Sequence, residues 1–299
     1  MVGSTVPSRA FGRFLNGLRE QSGTSLLAAG LAIDTSKQTI LRLEGGQPTK
    51  ISTPQLKSLL DLYRVGPAVY AQALELWHQV RQQAKTAKLD GSYKGWWQAY
   101  SDQYAPHFDH YLRLEAGANK MVSHQLVLVP GLLQTPAYRR ALVGVQEPDL
   151  PAADIERRLE LTARRRERLA EPGFHVAALL SEAVLMHQPG DPAVMVDQLR
   201  YLMDVGTSDN VSIRVVPFTA SAHRGLGVQS FTLLGFPHLT INLVDPPIVY
   251  IDGAEGALYL ERTDVIARFR QAITNMQRVA LSENDTRDLM SSRAKEFLS

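Results

Sequence analysis

Residues 35–46 read Thr-Ser-Lys-Gln-Thr-Ile-Leu-Arg-Leu-Glu-Gly-Gly, types and spacing suited to hydrogen bonding with the edges of a nucleic-acid duplex. Thr35 or Ser36 can cap a helix by accepting a backbone N–H. Lys37 and Gln38 then project at the end that enters a major groove. Ile40 and Leu43 fall on the opposite side at helical spacing, where they can pack on preceding helices. Gly45-Gly46 stops the helix. A solvated surface helix would have the same pattern, so its neighbours must decide.

Other constellations carry less. His107-Phe108-Asp109-His110 sets two histidines three apart around a carboxylate, but the spacing matches no metalloprotease motif, and capping or surface roles account for it. Gly225-Leu226-Gly227 lacks the Lys-Ser/Thr pair and following helix of a phosphate loop, which leaves a β-turn. Ser221 and His223 with Asp245 or Asp252 could compose a hydrolytic set, yet no Gly-x-Ser-x-Gly elbow exists. No catalytic residue, metal site or cofactor is expected, and the chain is not read as an enzyme.

Two further clusters have double readings. Trp96, Trp97, Tyr100 and Tyr104 form an aromatic stripe that seals a core or lines a ligand or partner groove. Arg157, Arg158, Arg164, Arg165, Arg166 and Arg168 interleave with Glu156, Glu160, Glu167 and Glu171, giving either a salt-bridged solvated face or a dock for an acidic partner. Trp96, Trp97, Tyr100, Arg164 and Arg165 are the candidate partner or ligand surface.

Composition narrows the classes. A chain of 299 residues with 44% hydrophobic and 21% charged residues is ordinary for folded domains and long enough for two. Residues 1–90 hold 11 Lys/Arg against 6 Asp/Glu, whereas the remainder holds 21 against 24. Positive charge therefore concentrates where phosphates would be met. With no cysteine, disulfides, thiolate metal sites and thiol catalysis are excluded. The polar start of the chain and the lack of a long apolar run predict no membrane span and a cytoplasmic location.

Around the capped segment, Phe11, Phe14, Leu15 and Leu18 make the apolar face of a first helix ending near Ser22-Gly23. A short helix follows over 25–32, and Pro54 opens another through Tyr63. A further helix is expected from Ala68 to about Gln83, with a polar linker over 85–95. Beyond it the pattern predicts a helical hairpin (96–104 and 110–119), an extended stretch at 121–129, and helices over 136–143 and 152–170. A strand at 174–180 and a helix at 192–205 come next. Strands at 211–216, 228–234, 239–244, 249–251 and 257–260 precede helices at 263–281 and 285–297. The fold class is an all-α N-terminal domain, residues 9–84, followed by an α+β domain, residues 96–299, with a mainly antiparallel sheet.

Leu18-Arg19, Ser22-Gly23 and the Ile40-x-x-Leu43-Glu44-x-Gly46 run make residues 9–66 resemble the Xre-type helix-turn-helix domain. That resemblance implies about five packed helices and a structural ion pair between Arg19 and Glu44. It places Lys37, Gln38 and Arg42 toward base edges, Ser36 and Thr39 against phosphate or thymine methyls, and Lys50 on a phosphate. Lys and Arg suit guanine and Gln suits adenine. Leu26 and Gly30 depart from the usual Gln and Ala.

The run Pro130-Gly131-Leu132-Leu133-Gln134-Thr135-Pro136-Ala137-Tyr138-Arg139-Arg140-Ala141-Leu142 resembles the C-terminal domain of actinobacterial Scr-like toxin–antitoxin-system regulators. Glu182 to Leu185, Gln198 to Leu202, Val215 to Phe218 and Ser230 to Leu234 extend the match. Together these resemblances imply a transcriptional regulator that binds a double-stranded DNA operator and is often encoded beside a small partner protein; because one helix-turn-helix contacts only a few base pairs, a homodimer is expected. The alternative, favoured by Leu26 and Gly30, is an antitoxin-like interaction protein with secondary DNA binding.

Overall fold

The computed structural model describes residues 6–47, 49–89, 95–240, 243–244 and 246–298. It divides into two compact units, one of Met1–Ala99, His110–Gly117 and Phe236–Asp245, the other of Tyr100–Asp109, Ala118–Gly235 and Pro246–Ser299. Among the described residues no helix is long and apolar enough to cross a membrane.

The first unit carries α1 (Val6–Gln21), α2 (Leu26–Ala32), α3 (Lys37–Glu44), α4 (Thr53–Leu62) and α5 (Pro67–Leu89). Three of them begin at serine caps: Ser25 accepts from the Ala28 amide, Ser36 from the Thr39 amide, and Ser52 forms a capping box with Gln55. Such caps satisfy amides that would otherwise lack partners. Gln55 also donates to the Ile33 carbonyl at 3.0 Å, which ties α4 to the end of α2. Phe11, Leu15, Ile40, Leu56, Leu59 and Leu60 are fully buried. Trp77 of α5 closes this core, its ring 5.2 Å from Phe11 and its indole N–H donated to Thr53.

Two glycines set how closely these helices meet. A Cβ on Gly12 would lie 2.4 Å from the Glu44 carbonyl oxygen, so α1 crosses the end of α3 backbone to backbone. A Cβ on Gly30 would lie 2.8 Å from the Thr35 carbonyl oxygen and 3.1 Å from the Lys37 amide nitrogen. The departure from Ala at position 30 therefore has a packing reason: it lets α2 approach the turn that launches α3.

Helix α5 runs to Leu89, into the stretch expected as a linker. Residues 82–89 lack Gly and Pro and consist largely of good helix formers, so polar composition there does not end the helix. Residues 90–94 of that expected linker lie outside the described residues. The expected first arm of the hairpin is a single 3₁₀ turn, Trp96–Tyr100. Pro106 disfavours helical backbone at Ala105 and itself opens α6 (Pro106–Gly117).

In the second unit a six-stranded sheet has the order β3-β2-β1-β4-β7-β8. Its strands are β1 (Lys120–Gln125), β2 (His175–Ser181), β3 (Val211–Val216), β4 (Phe231–Gly235), β7 (Ile248–Gly253) and β8 (Gly256–Leu260). β1 pairs with β2, and β2 with β3, in parallel, whereas the three pairings through β4, β7 and β8 are antiparallel. The sheet is thus mixed, mostly antiparallel. Its parallel part follows from connections that contain whole helices: α7 (Pro136–Gln146) and α8 (Ala152–Arg166) between β1 and β2, and α9 (Pro192–Val205) between β2 and β3. The stretch expected as one strand at 239–244 instead falls in β5 (His238–Thr240) and β6 (Leu243–Val244), a separate two-stranded pair that belongs to the first unit.

Helices cover both faces of the larger sheet. Ala178, Leu180, Ile213 and Val215 pack with α7, α9 and α11 (Glu283–Glu296). Val122, Leu179, Phe231, Leu233 and Val249 pack beneath Ile266, Ile273 and Met276 of α10 (Thr263–Val279). Alternation along β2, with Leu179 on one face and Leu180 on the other, divides the two cores.

Candidate nucleic-acid interface

Helix α3 divides by side. Ile40, Leu43 and Glu44 are buried, while Ser36, Lys37, Gln38, Leu41 and Arg42 are exposed and Thr39 is half-buried. Lys50, in the segment before α4, is exposed. The Ser36 hydroxyl accepts from the Thr39 amide at 3.2 Å and lies 3.1 Å from the Thr39 hydroxyl, so the two sit together at the helix start.

The buried end of α3 is held by charge. Arg19 Nε donates to Glu44 Oε1 at 2.6 Å and an Arg19 terminal nitrogen to Oε2 at 3.0 Å, a bidentate arrangement. Asn16 donates to the same Oε2 at 2.8 Å, and Arg19 also reaches the Thr24 carbonyl. The bond to Glu44 is the main reason the Arg19 pKa is raised. Burial, then the Glu44 charge, pushes the Tyr63 phenol up. The Arg19–Glu44 pair thus fixes α1, the α1–α2 turn and α3 to one another from the side opposite the exposed face.

The candidate surface in the rest of the chain is taken apart by burial. Trp97, Tyr100 and Arg165 are buried, Trp96 is half-buried, and of the five proposed residues only Arg164 is exposed. Within the aromatic stripe Trp97 and Tyr100 are buried and Trp96 and Tyr104 half-buried, and Gly95, at φ +58°, passes so close to Trp97 that a Cβ there would overlap its ring.

Most of the arginine run turns to partners within its own unit. Arg157 pairs with Asp102, Arg158 with Glu147, and Arg166 donates to the Gln134 carbonyl while lying over the Tyr201 ring. Arg168 donates to the Ala118 carbonyl at 2.7 Å and sits 4.0 Å above the Phe174 ring centre. Arg165 lies over Phe108. Burial and the guanidiniums of Arg165 and Arg158 bring Arg139 down to about 10.

No group of three or more His, Cys, Asp and Glu side chains among the described residues could hold a metal ion. His107 stands 3.7 Å from Asp252, and its carbonyl accepts from Tyr259. Asp245 lies outside the described residues. Gly225 sits in a 3₁₀ turn, Arg224–Gly227, where a Cβ would overlap Met276.

Three contributors escaped the sequence reading. Asn16 is a third ligand of Glu44, foreshadowed only by its place one helical turn before Arg19. Gly12 permits the α1–α3 contact. Leu41 stands 58% exposed among polar residues; its spacing of four from Lys37 and three from Gln38 was the available signal.

A short capped helix held by a buried ion pair, with lysine, glutamine and arginine outward, defines a helix-turn-helix DNA-binding unit joined to an α+β unit. Residues 10–73 match the helix-turn-helix domain family. Residues 108–292 match the family described as a domain of unknown function (DUF5753), and because that match spans more than half of the chain, the protein belongs to this family. No curated protein and no solved structure matches.

Proposed function

We propose that this protein is a sequence-specific transcriptional regulator whose α3 enters the major groove of an operator. Lys37, Gln38 and Arg42 face base edges there, while Ser36, Thr39 and Lys50 meet the backbone. The observation that carries this reading is the split of α3 itself, an exposed face bearing Lys37, Gln38 and Arg42 on a helix held from behind by Ile40, Leu43 and the Arg19–Glu44 pair. A single such helix covers few base pairs, so two copies would read half-sites about 34 Å apart. The α+β unit then supplies control, through self-association, an effector or a small protein encoded nearby, in keeping with the resemblance to actinobacterial toxin–antitoxin-system regulators.

Gel-shift titration at fixed salt tests this with the double variant Gln38→Ala, Arg42→Ala. Each lost base contact is worth about 1–3 kcal/mol, so specific affinity should fall by at least about tenfold while the melting temperature stays put. Unchanged affinity rejects the assignment.

A second reading, an antitoxin-like interaction protein with secondary DNA binding, has one observation in its favour. Leu27 and Leu31, one turn apart on α2, are 57% and 71% exposed. Co-expression with the product of the neighbouring reading frame separates the two: stoichiometric capture without an operator footprint supports the second.

A further inference from the structure

An exposed leucine on a reading helix has its own chemistry. On α3 the outward positions are Lys37, Gln38, Leu41 and Arg42. Leu41 follows Lys37 by four residues and Gln38 by three, so its side chain stands beside both on the helix surface. It has neither donor nor acceptor and cannot satisfy a polar base edge. At 58% exposure it leaves much of an isobutyl group in water, a cost that docking against an apolar group would recover.

The major groove presents one apolar group, the 5-methyl of thymine. We propose that Leu41 reads this methyl, making it a specificity-determining residue that selects thymine beside the bases met by Lys37, Gln38 and Arg42. The assignment rests on the DNA-binding reading above and adds a residue to it. Charge favours DNA over a protein face at this position. The neighbours of Leu41 include a lysine and an arginine suited to a polyanion, whereas the exposed residues of α2 are Leu27, Ala28, Leu31 and Ala32, without a charge among them.

The mechanism is subtractive as well as attractive. A leucine pressed against cytosine or adenine would strip water from an exocyclic amine and offer it no acceptor, a loss that penalises those bases. Against thymine, methyl meets methyl and only apolar surface is dehydrated.

Replacing thymine by deoxyuridine removes the methyl and leaves every hydrogen-bonding group in place. Duplexes enriched by the full-length protein from a library with a randomised core are resynthesised with deoxyuridine at single thymine positions. Wild-type affinity should drop about fourfold at the contacted position in each half-site, the value of one buried methyl-sized group. Leu41→Ala should lose a similar factor on the thymine duplex and be indifferent to deoxyuridine there. Because Leu41 is exposed, the variant should melt with wild type.

Equal wild-type binding to both duplexes, or a Leu41→Ala protein still sensitive to deoxyuridine, overturns the proposal while leaving DNA binding intact. So does deoxyuridine indifference accompanied by altered sedimentation of Leu41→Ala, which would assign the leucine to a protein contact. Failure of the wild type to enrich any duplex removes the DNA-binding reading itself, and this inference with it.

Discussion

Helix α3 carries one arginine and one glutamate, α8 several of each, and the two dispose of their charge differently. On α3 a single carboxylate, Glu44, turns inward and is consumed by Arg19 and Asn16, which leaves Lys37, Gln38 and Arg42 on the exposed face. On α8 and the turn after it, Arg157, Arg158, Arg166 and Arg168 bond to groups of their own unit, and Arg165 is buried over Phe108. The lesson is that local charge density does not mark a polyanion surface. Around α8 the fold has already supplied counter-charges and carbonyls, and a satisfied guanidinium has little left to offer a ligand.

The sharpest way to break the contrast is to remove the inward carboxylate. Glu44→Ala leaves Arg19 largely buried beside no counter-charge and should cost about 3–5 kcal/mol in the helical unit, read by chemical denaturation of the full chain. A loss below about 1 kcal/mol, the scale of an exposed pair, would mean that the pair does not organise α3. Next in size, Arg168→Ala removes a hydrogen bond to Ala118 and a stacked cation over Phe174. It should destabilise by about 1–2 kcal/mol and leave operator affinity unchanged. The double substitution of Gln38 and Arg42 should do the reverse. If Arg168→Ala weakened DNA binding at fixed salt, the division of labour between the two helices would fail.

The smallest effect probes the α+β core. His124 is buried on β1, with Nδ1 bonded to the Leu179 carbonyl and Nε2 unpaired. Burial depresses its pKa below the ordinary 6.5, opposed by the Leu179 bond and aided by the nearby His223. Below about 6.5 the unfolded chain takes up a proton that the folded one refuses, so stability should fall as pH drops from there toward the folded value. His124→Phe should flatten that part of the melting-temperature profile. An unaltered profile would show that another group sets it.

Much of the helical unit was legible because its signals are local. Serines at 25, 36 and 52 cap helices, Gly23 takes φ +68° after α1, and apolar residues recur at helical spacing. The exposed side of α3 was legible for the same reason: it lies on one continuous helix. The α+β unit was legible in its elements but not in their arrangement. The strands at 211–216 and 257–260 fall close to where they were expected, yet nothing in β1, β2 or β3 alone announces that they run parallel.

By itself the sequence determined where α2, α3 and α4 start and which side of α3 is apolar, since caps and periodicity act within a few residues. Tertiary structure decided what no short window contains. It chose the strand order, sent Trp97 and Tyr100 inside, engaged the arginines around α8 and left Leu41 in the open. Each of these depends on which distant groups arrive to bury or neutralise a side chain, and burial and charge compensation are properties of the assembled fold.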